Sequence, residues 1–214
     1  MPGRTETPYS HSAPTPTLME AVCAAAASRQ VQWAISAGGV LFMTALTAAA
    51  AQVSFSIPFT EVPFTFGPMA VLMSGLALGP RLGLLSQVLY LTAGMLGAPV
   101  FAMSPLPQGV ARLIGPTGGY LMSYPIAAFV TGYLAERGFD RRLVTSVLAM
   151  LAGLAVIFTC GVLWLGLFAR TPSSGPLGIS VALDAGFYPF VVADILKILV
   201  AATIMPSVWR LIGR

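Results

Sequence analysis

The sequence predicts an all-α, polytopic integral membrane protein with six transmembrane helices and both termini on the cytoplasmic side. Three observations carry that expectation. Hydrophobic residues make up 57% of the 214-residue chain and charged residues only 8%, with a mean hydropathy of +0.85, which leaves too little polar surface to cover a soluble globule. The apolar residues gather into runs of helical length separated by Pro, Gly and Arg. Most arginines flank those runs rather than forming a stripe, so the net charge of +4 orients membrane helices and does not imply a nucleic-acid partner.

Residues 1–17 are rich in Pro, Ser and Thr, hold the lone His11 and show no apolar periodicity. They are expected to form a disordered cytoplasmic tail ahead of a membrane domain spanning 18–214. The stretch has neither the basic start nor the compact apolar core of a secretory signal. Glu20 to Arg29 is expected to be a short interfacial helix. Val31–Gln52 is the first span, with Ala45 and Ala49 four apart as a flat stripe that lets another helix come close. Packing inside the bundle and docking onto a partner subunit both fit that stripe.

Val53 to Phe66 reads VSFSIPFTEVPFTF, where Pro58 and Pro63 forbid a continuous helix and Phe55, Phe59 and Phe64 add aromatic bulk. An interfacial anchor and a lid over a cavity are equally compatible with it. Gly67–Gly79 is a second span of only about 20 Å. Pro80-Arg81 is expected to be a tight turn, so Gly75, Gly79 and Gly83 are not taken as one packing face. Gly83–Met95 is the third span and carries Gln87 and Tyr90 on one face. Gly97 to Leu113 is a loop. Arg112 stands at its end, just before GPTGGY at 115–120, where three glycines and Pro116 permit close backbone approach and leave amides free at a helix start.

Leu121–Ala135 completes the fourth span, a loop with Glu136, Arg137, Asp140, Arg141 and Arg142 follows, and Leu143–Phe168 is the fifth. Arg170 to Asp184 is expected to be a loop of Pro, Ser and Gly. The sixth span, Phe187–Trp209, contains Asp194 and Lys197, three apart on one face, and Lys197 is the only lysine of the chain. A charge at mid-span costs roughly 2.5–3.5 kcal/mol on insertion, so such a pair marks either a packing contact or a polar site. Cys23 and Cys160 fit no disulfide framework and are expected to act as small apolar side chains.

With the N-terminus inside, Arg4, Arg29, Arg81, Arg137, Arg141, Arg142, Arg210 and Arg214 are cytoplasmic and only Arg112 and Arg170 external, the asymmetry that sets membrane orientation. Asp194 then lies about 10 Å and Lys197 about 15 Å below the outer end of the last helix. Together with Arg112, they outline an outward-facing pocket holding one carboxylate and two cations. The spans contain no histidine, no metal-ligand cluster, no serine with an evident base and no phosphate-binding P-loop. An enzyme, a metal or cofactor site and intrinsic ATP hydrolysis are therefore not expected. Capture of a small polar solute and proton passage through the Asp194–Lys197 pair both remain.

The run IPFTEVPFTFGPMAVLMSGLALGPRLGLLSQVLYLTAGMLGAPVFA, followed by GPTGGYL, resembles the BioY family, the biotin-specific substrate-capture (S) components of energy-coupling factor (ECF) transporters. The likeness covers Ile57 to Tyr120, and the acid–lysine pair of the last helix extends it across nearly the whole membrane domain. Two departures are Gly67, where relatives often carry Gln, and Ala98, where Leu or Ile is more usual; neither removes a charge. The resemblance implies a biotin site open to the outside of the cell membrane, and assembly with a membrane coupling (T) protein and ABC-type ATPase subunits. On that footing Asp194, Lys197, Arg112, Gln87 and Tyr90 are expected to bind biotin, Phe55, Phe59 and Phe64 to cover it, and Ala45 and Ala49 to dock onto the coupling protein. A carboxylate accepts from the ureido N–H groups and a cation holds the valerate. The alternatives are a stand-alone proton-coupled carrier of a small carboxylate or vitamin, and a structural membrane subunit that binds no small ligand.

Overall fold

The structure, a computed structural model, describes residues 15–55, 60, 62–103, 107–169 and 177–212. Those residues are mostly helical: α1 Leu18–Ala24, α2 Arg29–Gln52, α3 Gly67–Leu78, α4 Pro80–Met95, α5 Ala111–Ile114, α6 Gly118–Ala135, α7 Leu143–Leu167, α8 Ile179–Gly186, α9 Tyr188–Ala201 and α10 Ile204–Ile212. Among the described residues, three stretches are long and apolar enough to cross a membrane: Arg29–Gln52, Leu143–Leu167 and Tyr188–Ile212.

Helix α6 is the hub, packing against α7 on one side and the α3–α4 hairpin on the other, while α2 lies across α3 and α4 and α8 and α9 lean on α7. At 12 residues, α3 spans about 18 Å. It lacks the length to cross on its own, and burial of Ala70 through Leu78 compensates for the missing lipid contact. Glycine makes that burial possible. A Cβ on Gly75 would collide with Thr131 and the Ala128 carbonyl of α6, and one on Gly83 would stand 2.9 Å from the Gly75 Cα. The glycines set aside in the sequence thus do pack, across the hairpin rather than along one helix, because Gly79 (φ 81°) turns the chain between them.

Several boundaries differ from expectation for local reasons. Helix α1 starts at Leu18 because Thr17 and Glu20 form a reciprocal capping box, with the Thr17 N–H donating to Glu20 Oε2 at 2.8 Å. Thr15 to Thr17, the end of the expected tail, are held in place: the Thr15 N–H donates to the Glu136 carbonyl at 2.7 Å and Arg141 Nη2 donates to the Pro16 carbonyl at 2.8 Å. Residues 1–14 of that tail lie outside the described residues. Helix α4 begins at Pro80 instead of Gly83, since proline suits a first helical turn. Pro116 lies two residues ahead of α6.

Three elements were not foreseen, the first being the single turn α5 at Ala111–Ile114, where the end of a loop was expected. Ser54–Phe55 (β1) pairs antiparallel with Phe64–Thr65 (β2), so the proline-stiffened segment folds back on itself. Ile179–Gly186 is the helix α8, where a loop was expected. The last span is broken at Ala202–Thr203. The ring of Pro206 would clash with the Ala202 carbonyl four residues earlier and supplies no N–H, which separates α9 from α10.

Candidate functional site

A cavity opens where the C-terminal halves of α2, α4 and α7 meet the N-terminal halves of α3, α6 and α9, with about 650 Å³ of atom-free space counting its open mouth. Arg29, Arg81, Arg137 and Arg142 sit at the opposite ends of these helices. Its walls are largely aromatic, from Tyr90, Phe101, Tyr120, Tyr124, Phe158 and Phe190, and a cation and a carboxylate are set into them.

The cation is Arg112, on the single turn α5, only 1% exposed. Its Nη2 donates to the Ala102 carbonyl. Among the described residues Nε and Nη1 are buried with no partner, and so is the hydroxyl of Thr117, which also lines the cavity. A buried guanidinium is costly unless paired, so two unspent donors beside an open cavity form a receptor for an anion. The GPTGG turn is fixed from α7, where Trp164 Nε1 donates to the Gly115 carbonyl at 2.9 Å. A side chain on Gly119 would strike Trp164, so the glycine here serves close approach. Tyr90 donates to the Val100 carbonyl at 3.2 Å and meets Phe101 edge-on at 5.5 Å, which stiffens the loop beneath Arg112.

The carboxylate is Asp194, on α9. Lys197 Nζ donates to Asp194 Oδ1 at 2.7 Å and to the Thr65 carbonyl at 2.6 Å, and stands 3.5 Å above the Phe64 ring. The lysine therefore does two things. It pairs with the carboxylate and orients it, and it ties the β1–β2 segment to the last helix. Among the described residues nothing donates to Asp194 Oδ2, leaving that oxygen free to accept.

Of the residues singled out in the sequence, Tyr90, Arg112 and Asp194 come together in the cavity wall. Lys197 stands behind Asp194 rather than in the wall. Gln87 lies elsewhere: its Nε2 faces the hydroxyls of Ser74, Ser86 and Thr47 at 3.0–3.3 Å, where α2, α3 and α4 cross. Each of those hydroxyls hands its own hydrogen to a backbone carbonyl of its helix, so they present lone pairs to the amide. Phe64 stacks on Phe190 at 6.5 Å and lies under Lys197, Phe55 is 60% exposed, and Phe59 lies outside the described residues. Ala45 and Ala49 are exposed on α2. The sequence reading missed Thr117, Tyr120 and Tyr124. The signal was present: Tyr120 belongs to the quoted GPTGGY motif, and Tyr124 follows it by four residues on the same face of α6.

The BioY family model matches residues 21–214. The chain belongs to the BioY family. Among BioY relatives, it is 41% identical over 174 residues to the probable biotin transporter BioY of Pyrococcus horikoshii, covering 81% of this chain and 94% of that one. It is 39% identical over 151 residues to the biotin transporter BioY of Thermotoga maritima, covering 70% and 82%. The solved structure of the S-component for biotin from an ECF-type ABC transporter superposes with a TM-score of 0.71 at 23% identity, over 86% of this chain and 95% of that one. The fold of this BioY protein is thus the S-component fold.

Proposed function

We infer that this chain is the biotin-capturing S component of an ECF-type ABC transporter and serves biotin uptake. One observation carries the reading: a single cavity holds a buried guanidinium with two unspent donors and, in a separate wall, a carboxylate with an unspent oxygen. Biotin has the matching ends. Its valerate is an anion for Arg112 and Thr117, its ureido N–H groups are donors for Asp194, and its thioether ring and alkyl chain suit the aromatic walls.

The remaining assignments follow from the same reading. The α3–α4 hairpin and α6 join the three longer stretches to give six crossings, with both termini in the cytoplasm, because the flanking arginines collect at the end away from the cavity. The cavity then faces outward from the cell membrane. A membrane coupling protein and ATPase subunits supply the energy. The exposed Ala45–Ala49 stripe suits close docking of the coupling protein, and Phe64, stacked on Phe190 of the wall, with Phe55 6.3 Å from it, supplies the aromatic cover of the ligand.

Equilibrium binding of biotin to the purified subunit tests the proposal. Arg112→Met removes charge-assisted hydrogen bonds worth about 1.5–3 kcal/mol each and is expected to weaken binding roughly 100-fold. Asp194→Asn is expected to cost at least about tenfold. A folded wild-type protein that fails to bind biotin would overturn the reading. In cells that supply the coupling module, Ala45→Trp is expected to stop uptake while leaving binding intact; lost binding would place the stripe inside the bundle.

A further inference from the structure

Tyr124 is buried, with 5% exposure, and lines the cavity, yet among the described residues its hydroxyl makes no hydrogen bond. The other two tyrosines of the wall are committed: Tyr90 donates to the Val100 carbonyl at 3.2 Å, and Tyr120 to the Gly186 carbonyl at 2.9 Å. The hydroxyl is not among the buried oxygens left without a partner; it opens onto the cavity, where a ligand acceptor can reach it.

Its position says which end of the ligand it meets. A Cβ on Gly67 would come within 3.3 Å of both the Tyr124 hydroxyl and the Thr65 hydroxyl, so Tyr124 Oη fills the space that a side chain at 67 would otherwise take. The Thr65 carbonyl, in turn, accepts from Lys197, which holds Asp194. Tyr124 thus borders the same 65–67 segment as the carboxylate pair. Its ring is stacked on Tyr90 with centroids 6.2 Å apart and planes 22° apart, so the hydroxyl is aimed by packing. Asp194 can only accept hydrogen bonds when ionised, and a urea ring also presents a carbonyl oxygen that needs a donor.

We propose that Tyr124 donates its phenolic hydrogen to the ureido carbonyl of biotin while Asp194 accepts from a ureido N–H, the two together reading the ring as a cyclic urea. The assignment rests on the biotin-capture reading and adds a residue to it. Tyr124→Phe deletes one oxygen that leaves no protein group unpartnered, so the fold is retained.

The experiment is biotin binding by wild type and Tyr124→Phe, with isotope-edited infrared spectra of bound biotin carrying ¹³C in the ureido carbonyl. The expected result is about a tenfold loss of affinity together with a shift of the carbonyl stretch to higher frequency as its donor disappears. An affinity within about twofold of wild type, or a loss of affinity with the stretch unmoved, would overturn the assignment of Tyr124 and leave biotin capture standing. Failure of the wild-type protein to bind biotin would overturn both.

Discussion

Two buried aspartates stand at opposite ends of this bundle, each with a cation close by in sequence, and they do different things. Asp194 is bonded to Lys197 at 2.7 Å and borders the cavity. Asp140, in the turn between α6 and α7, is fully buried, lies 3.5 Å from Arg141 Nε and accepts from Trp209 Nε1 at 2.6 Å. Arg141 lies flat on the Trp209 ring at 3.5 Å and also donates to the Pro16 carbonyl. Asp140 is therefore the centre of a knot that fastens α10 and the residues before α1 to the α6–α7 turn. A buried acid beside a cation is not by itself a sign of a ligand; access to open space distinguishes the two.

The comparison is tested hardest by removing Lys197. Lys197→Met leaves Asp194 buried without its cation, and breaking a buried pair on one side costs about 3–5 kcal/mol. Biotin binding is expected to fall roughly 100-fold or more, with a lower melting temperature; unchanged affinity would show that the ligand does not depend on the charged state of Asp194. At the other end, Asp140→Ala strands the Trp209 N–H and is expected to lower stability by about 1–3 kcal/mol while leaving the Kd for biotin unaltered. A shifted Kd would mean that the two ends are coupled.

The smallest effect is in pH. Burial raises the Asp140 carboxyl above its ordinary value, a shift opposed by the Trp209 N–H and by Arg141. The folded state then binds more protons than the unfolded one across this window. Its contribution to stability is full below the unfolded carboxyl value of about 3.9 and is lost as pH rises through the raised value. Asp140→Asn is expected to flatten that fall in melting curves recorded from pH 4 to 7. An unchanged difference from wild type across that range would sink the assignment.

What the sequence made legible was set by length and charge. The hydropathy of α2, α7 and the last span, the bounds of α3, and the place of Arg112 and Asp194 toward one end all follow from local runs. Gln87 did not, because its partners lie 40, 13 and 1 residues away on α2, α3 and α4, and no local pattern says that three hydroxyls will meet one amide. Among the described residues its Oε1 has no partner, and it does not line the cavity that holds Arg112 and Asp194; its amide joins α2, α3 and α4. The β1–β2 pair is two residues per strand, too short for an alternation to register, and α8 shows only eight residues of amphipathic pattern next to a Pro, Ser and Gly stretch. Tyr124 needed α6 to be placed against Gly67 before its hydroxyl meant anything.

Both cations at the site grip main-chain oxygen: Lys197 holds the carbonyl of Thr65, and Arg112 that of Ala102. Every amino acid brings the same carbonyl. A substitution at 65 or 102 that keeps the chain's path therefore leaves either hydrogen bond in place, whereas replacing the lysine or the arginine removes it.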